Sequence, residues 1–246
     1  MDHDLYDYSA MPTRARWCWK APEAKGAGLA ACAIVFLEHW EAEPMAGSLR
    51  DPRFVGEYGS FTPDYRSWTQ REYGLRIGVF RVLDVLREAG VRPAIAANAR
   101  VLARVPALVE RLMNEGCEWI AHGVAATRLM HSRMPIDEQR AQVRESIEAI
   151  RRATGVAPTG WVAQDWGVTP QTATLLADEG LRYTLDWTND DQPGWLKTTP
   201  PVVSIPMSAE WDDVQCQWFR NLEPRAHADL AIEAFERLAS ECARAS

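Results

Sequence analysis

The sequence lacks several features that would assign it to particular classes of protein. It contains no stretch of about 18 apolar residues, so no membrane-spanning helix is expected. The first twenty residues lack the apolar core of an export signal. No run of lysine or arginine could follow a nucleic-acid backbone, and the net charge is −7. These absences predict a soluble, cytoplasmic protein without a nucleic-acid or membrane partner.

Cysteine is scarce and has no pattern. The five cysteines are odd in number and scattered, and no C-x-x-C spacing occurs. This argues against both a disulfide framework and a zinc knuckle. A chain of 246 residues with 47% hydrophobic content can bury one large core. We therefore predict a single domain over residues 1–246.

Short apolar segments alternate with stretches of helical periodicity. The apolar segments end in polar residues, namely Glu38, Asn98, His122, Gln164 and Asp186. When strands and helices alternate, the strands are parallel and their carboxyl ends lie on one face, where such folds build active sites. The pattern predicts an α/β enzyme of barrel type, with helices at 76–89, 98–116, 135–152, 169–180 and 227–242 outside the sheet.

Two segments depart from this alternation. Residues 1–28 form a polar N-terminal arm before the first apolar segment. Residues 40–75 are aromatic and polar with little periodicity. Long loops in compact domains are usually lids, binding loops or oligomer contacts. We predict that residues 40–75 form a loop over the active face.

Several motifs occur in an order that resembles a known family. They are Arg71-Glu-Tyr-Gly, Glu118-Trp-Ile-Ala-His122, Thr159-Gly-Trp161 and Tyr183-Thr-Leu-Asp186. In this order they resemble the polysaccharide deacetylase (NodB-homology) superfamily, and within it the allantoinase-like and cyclic-imide-hydrolase-like branch. The resemblance implies a distorted, incomplete (β/α) barrel that hydrolyses carbon–nitrogen bonds other than peptide bonds.

The sequence also departs from that family. Members that use a metal carry an Asp-Asp pair after the first strand and an H-x-x-x-H pair after the third. Here the first motif reads Leu37-Glu38-His39-Trp40, and Ala126 stands four residues beyond His122. The usual Asp-His-His triad is therefore absent. The family's late Leu-x-His-Pro strand is also missing before Ser246, so either the barrel closes without it or the chain is truncated.

Three residues are the catalytic candidates: Glu38, His122 and Asp186. Glu38 and His39 are adjacent, so their side chains point to opposite sides of the strand. If Glu38 faces the site, it can be the general base. If His39 does, a zinc-type divalent metal could be held by His39, His122 and a carboxylate, and no other cofactor is expected. His122 could bind that metal, donate to an oxyanion or act as a base, and Asp186 could orient a histidine or bind substrate nitrogens.

The candidate substrate contacts are Trp161, Asp165, Trp187, Trp195, Glu210 and Asp213. The three tryptophans could form a flat apolar wall against which a ring stacks. Asp165 replaces an arginine-containing motif of many deacetylases. Glu210 and Asp213 belong to a segment that resembles a Glu-x-Asn-Asp element of the imidase-like branch.

Three functional hypotheses follow. The first is a hydrolase of a cyclic amide, imide or ureide, acting on a small molecule as a homo-oligomer. The second is an N-deacetylase of acetylated amino sugars, which requires a metal and an open groove. The third is a catalytically inactive binding or scaffold protein, in which aromatic residues such as Tyr58, Tyr65, Trp68 and Tyr73 contact a ligand or a subunit.

Overall fold

Seven short strands and seven α-helices, together with short π-helical and 3₁₀-helical segments, lie in the part of the chain that the structure, a computed structural model, describes. It describes residues 29–43, 45–46, 48, 63 and 65–245, so the predicted arm at 1–28 lies outside the described residues. The strands are β1 (Ile34–Leu37), β2 (Ala94–Ala97), β3 (Glu118–Ala121), β4 (Gly160–Trp161), β5 (Tyr183–Thr184), β6 (Gly194–Leu196) and β7 (Val202–Ser204). The helices are α1 (Tyr65–Tyr73), α2 (Val79–Glu88), α3 (Ala99–Arg104), α4 (Pro106–Asn114), α5 (Ile136–Thr154), α6 (Thr172–Asp178) and α7 (Pro224–Ala245). None of these helices combines the length and the apolar composition needed to cross a membrane.

The strands form one mostly parallel sheet that does not close. Its order is β1-β2-β3-β4-β5-β7-β6, and only β6 runs antiparallel to its neighbour. Within the described residues, the end strands β1 and β6 do not pair with each other. The predicted α/β fold, an incomplete and distorted barrel with parallel strands, is therefore confirmed.

Alternation along the strands sorts side chains between the two faces of the sheet. Leu37, Ala97, Ala121 and Trp161 occupy one row and pack with the helices in a large outer core. The opposite, inner face carries a second cluster of Phe36, Ala96, Ile120 and Val162. Because side chains alternate, the residue after Leu37 or Ala121 points to the inner face. The strand-end residues Glu38 and His122 therefore belong to that face.

One tyrosine side chain contacts two neighbouring strands at the inner face. The ring of Tyr183 on β5 lies directly over Gly160 on β4, where an added Cβ would come within 2.0 Å of Tyr183 Cζ. The Tyr183 hydroxyl then donates to Glu118 Oε1 on β3 at 2.7 Å. Only a glycine leaves room for a ring that crosses β4 in this way.

The predicted loop over residues 40–75 contains a helix from residue 65 onwards, whereas residues 44, 47, 49–62 and 64 of it lie outside the described residues. Helix α1 occupies Tyr65–Tyr73 and continues through a π-helical turn, Gly74–Gly78, into α2. Of the residues in α1 whose burial is described, none is buried, so α1 has no apolar stripe that periodicity could reveal. Contacts such as the ion pair between Glu72 and Arg104 on α3 hold it instead.

Candidate active site

Polar side chains from four consecutive strands meet at the carboxyl edge of the sheet. The parallel register aligns Leu37 with Ala97 and Ala97 with Ala121. The next residues, Glu38, Asn98 and His122, therefore lie side by side, and Gln164 follows β4 beside them. The predicted location of the site, at the carboxyl ends of the strands, agrees with this placement.

Glu38 and His122 form a hydrogen-bonded pair at the centre of this edge. His122 Nε2 lies 3.2 Å from Glu38 Oε1, and the His122 residue is 1% exposed. The His122 ring packs edge-on against Phe36 with 5.0 Å between centroids. Phe36 and Glu38 share one side of β1 because side chains alternate. The structure thus turns Glu38, and not His39, toward His122.

The contacts of the His122 ring fix where its protons lie. Nδ1 is 2.8 Å from the carbonyl oxygen of Val162, which can only accept, so Nδ1 carries a proton and donates it. Nε2 faces the Glu38 carboxylate, and two bare acceptors at 3.2 Å would repel each other. One further proton is therefore shared between Glu38 and His122.

Two other side chains hold the Glu38 carboxylate. Gln164 Nε2 donates to Oε1 at 2.7 Å, and Trp40 Nε1 donates to Oε2 at 3.2 Å. Burial raises the pKa of Glu38, but the bonds from His122, Gln164 and Trp40 and the charge of His122 outweigh burial and leave that pKa below its usual value. A lowered pKa favours the ionised form of Glu38, which is the form that can accept a proton. The Glu38 side chain is 27% exposed, so water reaches it.

A buried amide, Asn98, joins the ends of these strands. Its Oδ1 accepts from the backbone N–H of His39 at 3.1 Å, and its Nδ2 donates to the backbone oxygen of His122. Nδ2 also lies 3.4 Å from Gln164 Oε1, which leaves Gln164 Nε2 to donate to Glu38. Asn98 directly precedes α3, but its side chain makes no capping bond to that helix.

Neither amide was among the candidate site residues, because amides supply no acid, base or strong metal ligand. The signal that could have found Asn98 and Gln164 was their position. Each directly follows, or nearly follows, an apolar strand in the same series as Glu38 and His122.

Asp186 is buried beside this group and is held by two donors. It is 6% exposed, and it accepts from the Ala163 backbone N–H and the Thr184 hydroxyl, both at 2.6 Å. Burial raises the pKa of Asp186 to about 6, although both hydrogen bonds and the charge of His122 act in the opposite direction. Asp186 thus lies within electrostatic range of His122.

The raised pKa of Asp186 predicts a pH-dependent stability difference for Asp186→Asn. The folded pKa of about 6 exceeds the ordinary value of 3.8, so the fold binds this proton more tightly than the unfolded chain does. Ionisation therefore costs the folded protein stability as the pH rises from about 4 to about 6, by roughly 2 to 3 kcal/mol in total. The uncharged Asn escapes this cost. Urea unfolding at several pH values should show the free energy of unfolding of the variant rising relative to that of the wild type across this range. Parallel plots of the two free energies against pH would contradict the expectation.

His39 points away from the pair. Its backbone oxygen accepts from Ala126 N–H at 2.9 Å, and its Nδ1 is buried without a hydrogen-bond partner. Burial, together with the charge of Arg104, lowers the pKa of His39. The structure does not bring His39 and His122 together as the metal alternative requires, because side chains of adjacent residues at a strand end face opposite sides.

The donor groups at this edge do not fit a zinc-type site. In the described part of the chain, no three His, Cys, Asp or Glu side chains come together as ligands. Glu38 and His122 supply one carboxylate and one imidazole, whose Nε2 is already paired with Glu38. The neighbours are the amides of Asn98 and Gln164, and Ala126 is apolar. Catalytic zinc needs three protein ligands of stronger donor character.

The three tryptophans do not form one wall. Trp161 is 1% exposed and lies in the outer core against the helices, so it cannot stack on a ligand. Trp187 packs against a separate cluster that includes Leu196 and Val202. Trp195 stands on the edge strand β6 and is 56% exposed. The predicted stacking surface is therefore wrong, because strand alternation turns Trp161 outward and its neighbour Val162 inward.

The acidic candidates differ in their placement. Asp165 is half-buried and follows Gln164 in a left-handed conformation, φ +47°. Glu210 and Asp213 are exposed; Glu210 accepts from the Ser208 hydroxyl, and the Asp213 carboxylate lies 3.6 Å from His227 Nδ1. Between them, Asp212 is half-buried.

Asp212 is the carboxylate of this segment whose pKa is affected by the charge of Glu38. Burial raises its pKa first, and the negative charges of Asp213 and Glu38 raise it further. Sequence reasoning passed over Asp212 in favour of its exposed neighbours.

A comparison with protein families assigns the central part of the chain. Residues 72–185 match the polysaccharide deacetylase family. This match covers slightly less than half of the chain. The matched region contains β2 to β5 with Asn98, His122 and Gln164. Asp186 directly follows this region, whereas Glu38 lies well before it.

Individual relatives are more distant. A Schizosaccharomyces pombe protein described as a polysaccharide deacetylase is 25% identical over 141 residues, which are 55% of this chain and 43% of that protein. The chain therefore spans less than half the length of that curated relative.

Solved structures share the fold over most of the chain. Puue allantoinase is similar with a TM-score of 0.75 and 24% identity, over 98% of this chain and 80% of that one. A Pseudomonas aeruginosa PAO1 polysaccharide deacetylase is similar with a TM-score of 0.73 and 22% identity, over 89% and 75% of the two chains. These likenesses confirm the predicted NodB-type fold.

Proposed function

We propose that this chain hydrolyses a carbon–nitrogen bond other than a peptide bond, in a cyclic amide, imide or ureide, with water activated by Glu38. The observation that carries the proposal is the Glu38–His122 pair, a carboxylate and an imidazole 3.2 Å apart at the carboxyl edge of the sheet. A base and a proton donor in contact are what amide hydrolysis needs.

In the proposed reaction Glu38 is the general base and His122 is the hydrogen-bond donor to the oxyanion. Glu38 takes a proton from water, whose oxygen attacks the substrate carbonyl carbon. His122 donates a hydrogen bond to the oxyanion that develops. The donor is Nε2–H, because Nδ1–H already bonds to the Val162 carbonyl. The C–N bond then breaks, and the proton held by Glu38 passes to the leaving nitrogen.

The supporting side chains keep the base in place during this step. Gln164 and Trp40 each donate to one oxygen of Glu38, at 2.7 and 3.2 Å. Asn98 in turn sets the orientation of the Gln164 amide. A carboxylate held in this way loses little orientational freedom when the substrate binds.

The proposed substrate class follows the motif resemblance and the fold shared with Puue allantoinase. The family match favours a second candidate, N-deacetylation of acetylated amino sugars. The two candidates differ in their requirement for a metal. The donor set around Glu38 and His122 supports the first candidate, because deacetylation by the family's metal route needs ligands that are not assembled among the described residues.

One panel of substrates separates the candidates. Ring opening of allantoin, hydantoin and succinimide is measured beside acetate release from N-acetylated sugar oligomers, with and without EDTA. We expect ring opening that survives the chelator. Acetate release that EDTA abolishes would instead support the deacetylase, and saturable binding without turnover would support an inactive binding protein. Light scattering on the same preparation tests the proposed homo-oligomer.

A further inference from the structure

The motif Arg71-Glu-Tyr-Gly has no part in the proposed reaction, yet it contacts the site. Arg71 lies on α1, and its guanidinium carbon is 3.7 Å from the centroid of the Trp40 ring. The Nε1–H of the same indole donates to Glu38 Oε2 at 3.2 Å. Two contacts therefore connect helix α1 to the catalytic carboxylate.

Both contacts affect how the indole donates to Glu38. A guanidinium stacked on a tryptophan face is attracted to it electrostatically, and 3.7 Å is well within the range of this attraction. The cation also draws electron density from the indole, which makes Nε1–H a better donor. Residues 38–41 have no regular secondary structure, so side-chain contacts must orient Trp40.

Separate contacts dock α1 on α3. Glu72 forms an ion pair with Arg104 at 2.8 Å, and the Arg104 guanidinium lies 5.4 Å from the centroid of the Trp68 ring. These contacts hold the helix without touching Trp40 or Glu38. Docking of α1 can therefore be weakened independently of the contact between Arg71 and Trp40.

We propose that Arg71 is a positioning residue for hydrolysis, whose guanidinium holds the Trp40 indole so that Nε1–H donates to Glu38. The proposal rests on the proposed function, because Glu38 is the base in that function. Arg71 acts through Trp40 and touches no reacting atom. With Oε2 held by Trp40, the other oxygen of Glu38 stays on His122 and Gln164.

The experiment combines indole NMR with steady-state kinetics on Arg71→Gln, Arg71→Lys, Trp40→Phe and Arg104→Gln. The chain has eleven tryptophans, so Trp40→Phe assigns the Trp40 Nε1–H resonance by its loss. We expect Arg71→Gln to move that resonance toward a weaker hydrogen bond and to speed its exchange with water. The same change should lower kcat about three- to tenfold with little change in KM, and Arg71→Lys should restore part of both effects.

The controls separate a specific contact from general loosening. Arg66→Gln, an exposed change on the same helix, should leave the resonance and kcat unchanged. Arg104→Gln should lower the melting temperature more than it moves the Trp40 resonance. The Arg71→Gln/Trp40→Phe double variant should be no slower than Trp40→Phe alone, since Arg71 acts only through the Trp40 indole, which Trp40→Phe already removes.

Failure of this inference can be told apart from failure of the proposed function. An unmoved Trp40 resonance in Arg71→Gln, or an equal effect of Arg104→Gln, overturns the role of Arg71 even if the wild type is active. A wild type that turns over no substrate, together with a resonance that does move, overturns the hydrolytic function while the orienting contact stands. A resonance that moves and a kcat that falls together support both.

Discussion

Glu38→Gln should lower kcat by about two or more orders of magnitude while changing the melting temperature little. The amide is nearly the same size as the carboxylate, and it can still accept from Trp40 or Gln164 through its one oxygen. It cannot take a proton from water. Steady-state turnover of the best cyclic substrate, measured beside thermal unfolding, checks both halves of the expectation.

Glu41→Gln is the matched control for that variant. Glu41 lies three residues away in the same segment, where its carboxylate binds the Arg128 guanidinium at 2.6 and 3.1 Å and the Thr127 hydroxyl at 2.7 Å. The change should therefore lower the melting temperature and leave kcat within about threefold, since exposed or half-buried ion pairs act on stability. Full turnover in Glu38→Gln would remove Glu38 from the mechanism.

His122→Asn should lower kcat by roughly two to three orders of magnitude, the usual effect of losing an oxyanion donor. The Asn amide can still donate to the Val162 carbonyl, as Nδ1 does now at 2.8 Å. It leaves nothing in place of Nε2. The smaller side chain also opens a gap beside Phe36 that should cost about 1 to 3 kcal/mol of stability.

The same variant should move the pH profile in a defined direction. The bond and charge of His122 help to hold the pKa of Glu38 down, so their loss raises that pKa. Activity that needs an ionised Glu38 then falls off at higher pH than in the wild type. The acid limb of the residual kcat/KM should therefore shift upward, and an unchanged limb would show that His122 does not set the charge of Glu38.

A second buried histidine gives the control for His122. His227 is 8% exposed and is hydrogen-bonded at both ring nitrogens, to the Trp211 carbonyl and to the Gln217 amide, both at 3.1 Å. His227→Asn should lower stability and leave kcat within about threefold. Equal losses of activity in the two variants would mean that the effect of His122→Asn comes from damage to the fold.

The position of the site could be predicted because several largely apolar segments are each followed by a polar residue, as with Glu38, Asn98 and His122. In a parallel sheet these ends must meet, so Glu38 and His122 come together whatever the details of packing. The sequence also showed that only one of Glu38 and His39 could face the site. It could not choose between them, because both residues suit the chemistry and the choice depends on which face of β1 carries Phe36.

Other parts of the site depended on information that periodicity does not carry. Trp161 and Val162 are both apolar residues at a strand end, and only the register of β4 shows which one faces the helices. Helix α1 buries none of the residues whose burial is described, so no apolar periodicity marks it. Its position depends on ion pairs and aromatic contacts between residues far apart in sequence, such as Glu72 and Arg104. The Asn98–Gln164 network is likewise set by distances between strands.

The crossing of β4 by Tyr183 has a consequence for how this protein can vary among relatives. Glycine at position 160 leaves room for the Tyr183 ring, whose hydroxyl donates to Glu118 on the far side of β4. A larger residue at position 160 is compatible only with a smaller one at 183, and loss of the tyrosine leaves Glu118 without this partner. Homologues with a side chain larger than glycine at position 160 should therefore lack a tyrosine at position 183.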